Sequence, residues 1–99
     1  MTGTPSQIEW AELIKPKVQA EFDRVAKAFA AVAGNQTEDA RRDTLAVIAL
    51  VEEMSQSVLA NPSAGYFIKH WRELSDQVRR MIFDDARYQT IKARQAATK

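Results

Sequence analysis

His70 is the only histidine in the chain, and Glu73 follows it one helical turn later. An imidazole and a carboxylate at that spacing could share a metal ion. Di-iron helical bundles use Glu-x-x-His on two helices, with two further carboxylates facing inward. Here the order is reversed and no second histidine exists, leaving Glu52 and Glu53 as the candidates from another helix. A catalytic zinc needs three protein ligands. The expectation is therefore no metal and no cofactor, with His70 a flanking residue whose ring is partly covered.

Asp85 is the other residue with chemical potential, because it falls on an otherwise apolar stripe: Phe67, Trp71, Leu74, Val78, Met81, Asp85, Tyr88. A buried carboxylate is costly unless paired, and burial raises its pKa, which is how an acid–base group is tuned. Two other outcomes are open. The bundle could end before this point and leave Asp85 wet, or the carboxylate could set register at an oligomer interface. Ser55, Ser57, Ser63 and Ser75 sit in helical or capping contexts without a nucleophile elbow, and the three glycines are scattered, so no phosphate loop can be read. A small helical enzyme using Asp85 or His70 is the least supported function.

Cations offer more. On one continuous helix, Lys69, Arg80, Arg87 and Arg94 fall within roughly 20° of a line, at about 100° per residue. Arg72 and Arg79 lie beside that line, Asp76 interrupts it, and Phe83 sits among the arginines. An aromatic flanked by arginines is typical of protein interfaces, and it could also stack on a base. The competing outcome is a solvated face whose cations complement a helix C-terminus, with Phe83 covered by the N-terminal arm. Arg72, Arg80, Phe83 and Arg87 are thus the candidate partner-binding residues.

These residues depend on the elements that carry them. Ser6-Gln7-Ile8-Glu9 reads as a capping box, followed by apolar positions at Ala11, Ile14, Val18, Phe22, Val25, Phe29 and Val32. Gly34 supplies a left-handed stop. Pro16 lacks an amide and disfavours helical angles at Lys15, which predicts a short N-terminal helix, a break, and a longer helix to Ala33. A second helix starts with Asn35 or Thr37 and runs to Ala60, before Asn61-Pro62. Its run Leu45 to Val51 is apolar all round, so a buried strand competes, but the breaker-free context favours helix. Ser63 caps a third and longest helix reaching Ala96, with Ile82 and Ile91 widening its stripe.

The expected fold is all-α: three long helices in an up-down-up bundle, with a short helix before Pro16 and closure by dimerisation. Residues 1–99 form one domain, with a flexible arm over 1–5 and frayed ends over 97–99. A chain of 99 residues is too short for two cores, and 45% apolar with 27% charged residues is ordinary for a globular domain. Cysteine is absent, which fits a reducing compartment. The polar N-terminus has no secretory pattern, and the longest apolar run falls far short of the roughly 20 residues that span a bilayer. A cytoplasmic protein without membrane contact is expected.

Net charge is +1 but unevenly spread: residues 35–61 carry two basic and five acidic side chains, residues 62–99 eight basic and four acidic. A nearly neutral whole argues against a dedicated nucleic-acid binder. Trp10, Leu13, Leu45 and Leu59 lie outside the core stripes and would leave apolar patches on a monomer, so they are the candidate self-association residues. No motif is specific enough to carry over from a known family. The leading function is a non-enzymatic protein-interaction module, self-associating and offering a helical face to a protein partner. Nucleic-acid binding through the basic face is the alternative.

Overall fold

A computed structural model describes residues 1–97. Five helices make up the fold: α1 (Pro5–Ala33), α2 (Glu38–Leu59), α3 (Ala64–His70), α4 (Leu74–Asp84) and α5 (Ala86–Ala97). The only non-helical pairing among the described residues is an isolated bridge between Thr2 and Ser63. The fold is all-helical, as the apolar spacing implied, and Leu45 to Val51 lie inside α2.

The start of α1 corrects two expectations. Its N-cap is Thr4, not Ser6. The Thr4 hydroxyl accepts the Gln7 amide at 3.2 Å, while the Thr4 amide donates to Gln7 Oε1 at 2.9 Å. Pro5 then occupies the first helical position, where a missing amide costs nothing. The predicted break near Lys15 is also absent: α1 runs uninterrupted through Pro16. Pro16 and Glu12 are both exposed, so the Glu12 carbonyl that Pro16 leaves without a donor can bond water. Ala11, Val18 and Phe22, on either side of the proline, all reach the core.

Gly34 does not provide a left-handed stop; its φ of −61° and ψ of −22° are right-handed helical. The last carbonyls of α1 accept amides of the turn that follows, Gly34 to Ala30, Asn35 to Val32 and Gln36 to Ala33, and α2 adds to this end. Arg41 Nε donates to the Ala33 carbonyl at 3.0 Å, and its Nη2 to the Gln36 carbonyl at 3.3 Å. Thr37 caps α2 and Ser63 caps α3, each hydroxyl accepting an amide three residues on. Over the expected N-terminal arm, the Thr2 amide donates to the Pro62 carbonyl at 2.6 Å, and the Ala64 amide to the Thr2 carbonyl at 2.9 Å. Gly3 permits this docking. Its φ is +143°, and a Cβ there would come within 3.0 Å of Ala64 Cβ.

The predicted long third helix is three helices. The chain leaves helix at Trp71–Glu73 and again at Asp85, yet Phe67, Trp71, Val78, Ile82 and Ile91 are all buried. The stripe explains the second break. At about 100° per residue, Ile91 would sit about 120° away from Phe67 on one straight helix. Restarting at Asp85 brings Ile91 back to the core. The first break contains neither glycine nor proline, and it coincides with the Trp71 ring seated on Phe22, centroids 5.7 Å apart. α5 extends to Ala97; of the end expected to fray, residues 98 and 99 lie outside the described residues.

One core joins these helices, with Val18, Phe22, Val51, Phe67 and Val78 almost wholly buried. The molecule measures 52 × 23 × 19 Å, and its radius of gyration of 15.7 Å exceeds the roughly 13 Å usual for a chain of about 100 residues.

Candidate functional site

The two breaks disperse the straight row of cations. Arg87 and Arg94 turn towards α2: Arg87 Nη1 lies 2.7 Å from Glu53 Oε2, and Arg94 pairs with Asp43. Arg87 also holds Asp85, its Nη2 3.1 Å from Oδ2. Hydrogen bonds to Asp85 and then Glu53 raise the Arg87 pKa above its ordinary value. These two arginines fasten α5 to α2.

Lys69, Arg72 and Arg80 remain together. With His70, Glu73 and Asp76 they line a shallow hollow of about 240 Å³ at the α3–α4 junction. Among the described residues, none of Lys69, Arg72, Arg79 or Arg80 has an ion-pair partner. His70 is exposed, its ring centroid 5.3 Å from that of Tyr66. No group of three or more metal-ligating side chains occurs among the described residues.

Asp85 is neither a buried acid nor a wet protrusion. It is the N-cap of α5: Oδ1 accepts the Arg87 amide at 2.8 Å, the geometry of a helix-capping carboxylate. Its hydrogen bond with the Arg87 side chain, foremost, holds its pKa below the ordinary carboxylate value, against a smaller opposing effect of burial. The raised pKa expected of a buried acid is therefore overturned. The sequence signal for this role was present: aspartate before a run of helix formers is a start signal.

Phe83 closes α4, 51% exposed. Its ring lies 5.6 Å from that of Tyr88, and its carbonyl accepts Gln89 Nε2 at 3.0 Å. The aromatic neighbour is Tyr88, not the N-terminal arm. The four candidate partner-binding residues thus divide. Arg72 and Arg80 line the hollow, Phe83 ends α4, and Arg87 belongs to the α5–α2 fastening.

The four candidate self-association residues divide as well. Trp10 and Leu13 are adjacent on the outward side of α1, 58% and 65% exposed. Leu45 is 52% exposed on α2, whereas Leu59 packs partly against the core. At about 100° per residue, Leu45 and Leu59 share one side of α2 with Ile48, Glu52 and Ser55. That side borders a groove between α1 and α2 of about 360 Å³, lined by Phe22, Asp23, Ala26 and Lys27 on one helix and Val51, Glu52, Ser55 and Gln56 on the other. Val32, an expected core residue, is 52% exposed.

A larger concavity of about 870 Å³ lies between the start of α2 and α5, where Asp39, Arg42 and Asp43 face Lys92 and Arg94. Asp43 pairs with Arg94 across it, and Arg42 lies 4.0 Å from Asp39 within α2. No helix among the described residues is long and apolar enough to cross a membrane. The chain matches no protein-family model, no curated protein and no solved structure.

Proposed function

We propose that this chain is a non-enzymatic interaction module that self-associates and presents a helical face to a protein partner in the cytoplasm. The observation that carries the reading is the exposure of Trp10, Leu13, Val32, Leu45 and Phe83, each more than half accessible. Single exposed apolar residues are common. Here, however, Trp10 adjoins Leu13 on α1, and Phe83 stacks beside the half-buried Tyr88. Aromatic residues in such clusters are the usual anchors of protein contacts. In this account the helices form an up-down-up bundle, with the third arm broken into α3–α5, and a second copy completes its core. The Phe83 end, with Arg72 and Arg80 nearby in sequence, is left to a different protein.

Size-exclusion chromatography with light scattering tests self-association. A dimer at micromolar concentration supports it, and a strict monomer at high micromolar concentration removes it.

Nucleic-acid binding is a second reading, favoured by Lys69, Arg72, Arg79 and Arg80, none of them ion-paired among the described residues. Phosphate contacts release counterions, so affinity would fall steeply with salt. A gel-shift at low salt without retardation disposes of it.

A further inference from the structure

Building on the self-association reading above, we propose that a second copy of this chain docks in the α1–α2 groove around Phe22, Ala26, Val51 and Ser55. Every residue lining that groove belongs to α1 or α2. The other side of α2 is occupied, because Asp43 and Glu53 hold α5 there. On a helical wheel these two carboxylates lie to one side of the buried Val47–Met54 line, and Glu52 and Ser55 to the other. The α1–α2 pair is therefore covered on one side and open on the opposite one.

The open side has an apolar floor beneath a charged and polar rim. Phe22 and Val51, each 1% exposed, form its floor, and the small side chains of Ala26 and Ser55 leave room above them. Leu45, Ile48 and Leu59 extend the apolar strip along the α2 edge, and the long α1–α2 pair provides length for helix-on-helix packing.

Charge selects the occupant. The rim carries Asp23 and Lys27 on α1 and Glu52 on α2, and none of the three has an ion-pair partner among the described residues. A two-fold contact sets the same patch against itself. Lys27 of one protomer then meets Asp23 or Glu52 of the other, twice over.

Sedimentation equilibrium on the full chain and five variants tests this, with circular dichroism confirming that each variant is folded. Wild type should dimerise. Lys27→Glu and Glu52→Lys should each raise the dimer dissociation constant at least about tenfold, by placing like charges together. The double swap should restore dimerisation to within about threefold. Ser55→Arg should give monomer, and Ser75→Lys, exposed on α4 and off this face, should leave the constant unchanged. If Ser55→Arg and both single reversals dimerise like wild type, the groove is not the docking face, although self-association stands. A double swap as weak as the single variants overturns the pairing of Lys27 with Glu52. A monomeric wild type overturns both the docking and the self-association beneath it.

Discussion

Asp85 and Arg87 grip each other across the first turn of α5. The Asp85 carboxylate accepts the Arg87 amide at 2.8 Å and its guanidinium at 3.1–3.2 Å, while the same guanidinium reaches Glu53 at 2.7 Å. One carboxylate thus starts a helix and orients the side chain that docks it.

Removing the cap should loosen α5 first. Asp85→Ala is expected to cost about 1 kcal/mol, the usual loss for an N-cap, measured by urea unfolding at pH 7. The Asp85 pKa is lowered in the folded state, so folding favours the ionised form. Its contribution is fully present above the unfolded value of about 4 and disappears as pH falls through the lower folded value. The wild-type advantage over Asp85→Ala should shrink across that acid range, and an advantage growing on acidification would contradict the assignment.

Pro16→Ala should stabilise the protein by up to about 3 kcal/mol, since proline inside a helix is that much less favourable than alanine. Pro16 is exposed within continuous α1, so alanine restores a hydrogen bond without touching the core. Thermal unfolding reads the change. An unchanged or lowered melting temperature would mean that the chain turns at Lys15 after all.

Those two positions show what was legible in the sequence. The three–four spacing reported most of the buried face: Ala11, Val18, Phe22, Phe67, Trp71, Val78 and Ile82 are all buried, whereas Val32 at the end of its stripe is 52% exposed. It reported continuity poorly. Pro16 resembles a breaker, yet a proline on the wet side of a long helix loses only a bond that water replaces. Asp85 resembles a flaw in a stripe, yet a capping carboxylate begins a helix more cheaply than a straight rod can carry Ile91 out of the core. The Trp71–Glu73 break has no local signal, because tertiary seating of Trp71 on Phe22 accompanies it. The same breaks divide the basic row, which assumed one straight helix: Lys69, Arg72 and Arg80 stay together, while Arg87 and Arg94 turn to α2.

α5 should detach before the rest of the fold. Its ion pairs to α2 run through Arg87 and Arg94, whose side chains are both more than half exposed, and salt screens such pairs. Raising sodium chloride from 0.05 to about 1 M, where the Debye length falls to about 3 Å, should speed hydrogen exchange at α5 amides and leave α1 and α2 protected. Uniform acceleration across all helices would contradict a separable α5.

Trp71 and Phe22 should respond differently to truncation. Trp71 Nε1 is buried without a hydrogen-bond partner among the described residues, a penalty on the order of 1–3 kcal/mol. Trp71→Phe removes that penalty along with some volume, so its net cost should stay below about 1.5 kcal/mol. Phe22→Ala only opens a cavity and should cost about 3–5 kcal/mol. Equal losses in denaturant titrations would mean that the indole nitrogen is satisfied in solution.

We propose that the exposed apolar surface of this helical chain serves contact with another protein, beginning with its own copy. The most direct measurement is the solution mass of the unmodified chain by light scattering, from low to high micromolar concentration. Self-association should raise it towards twice the 11.2 kDa chain mass. A mass that stays at one chain throughout would contradict it.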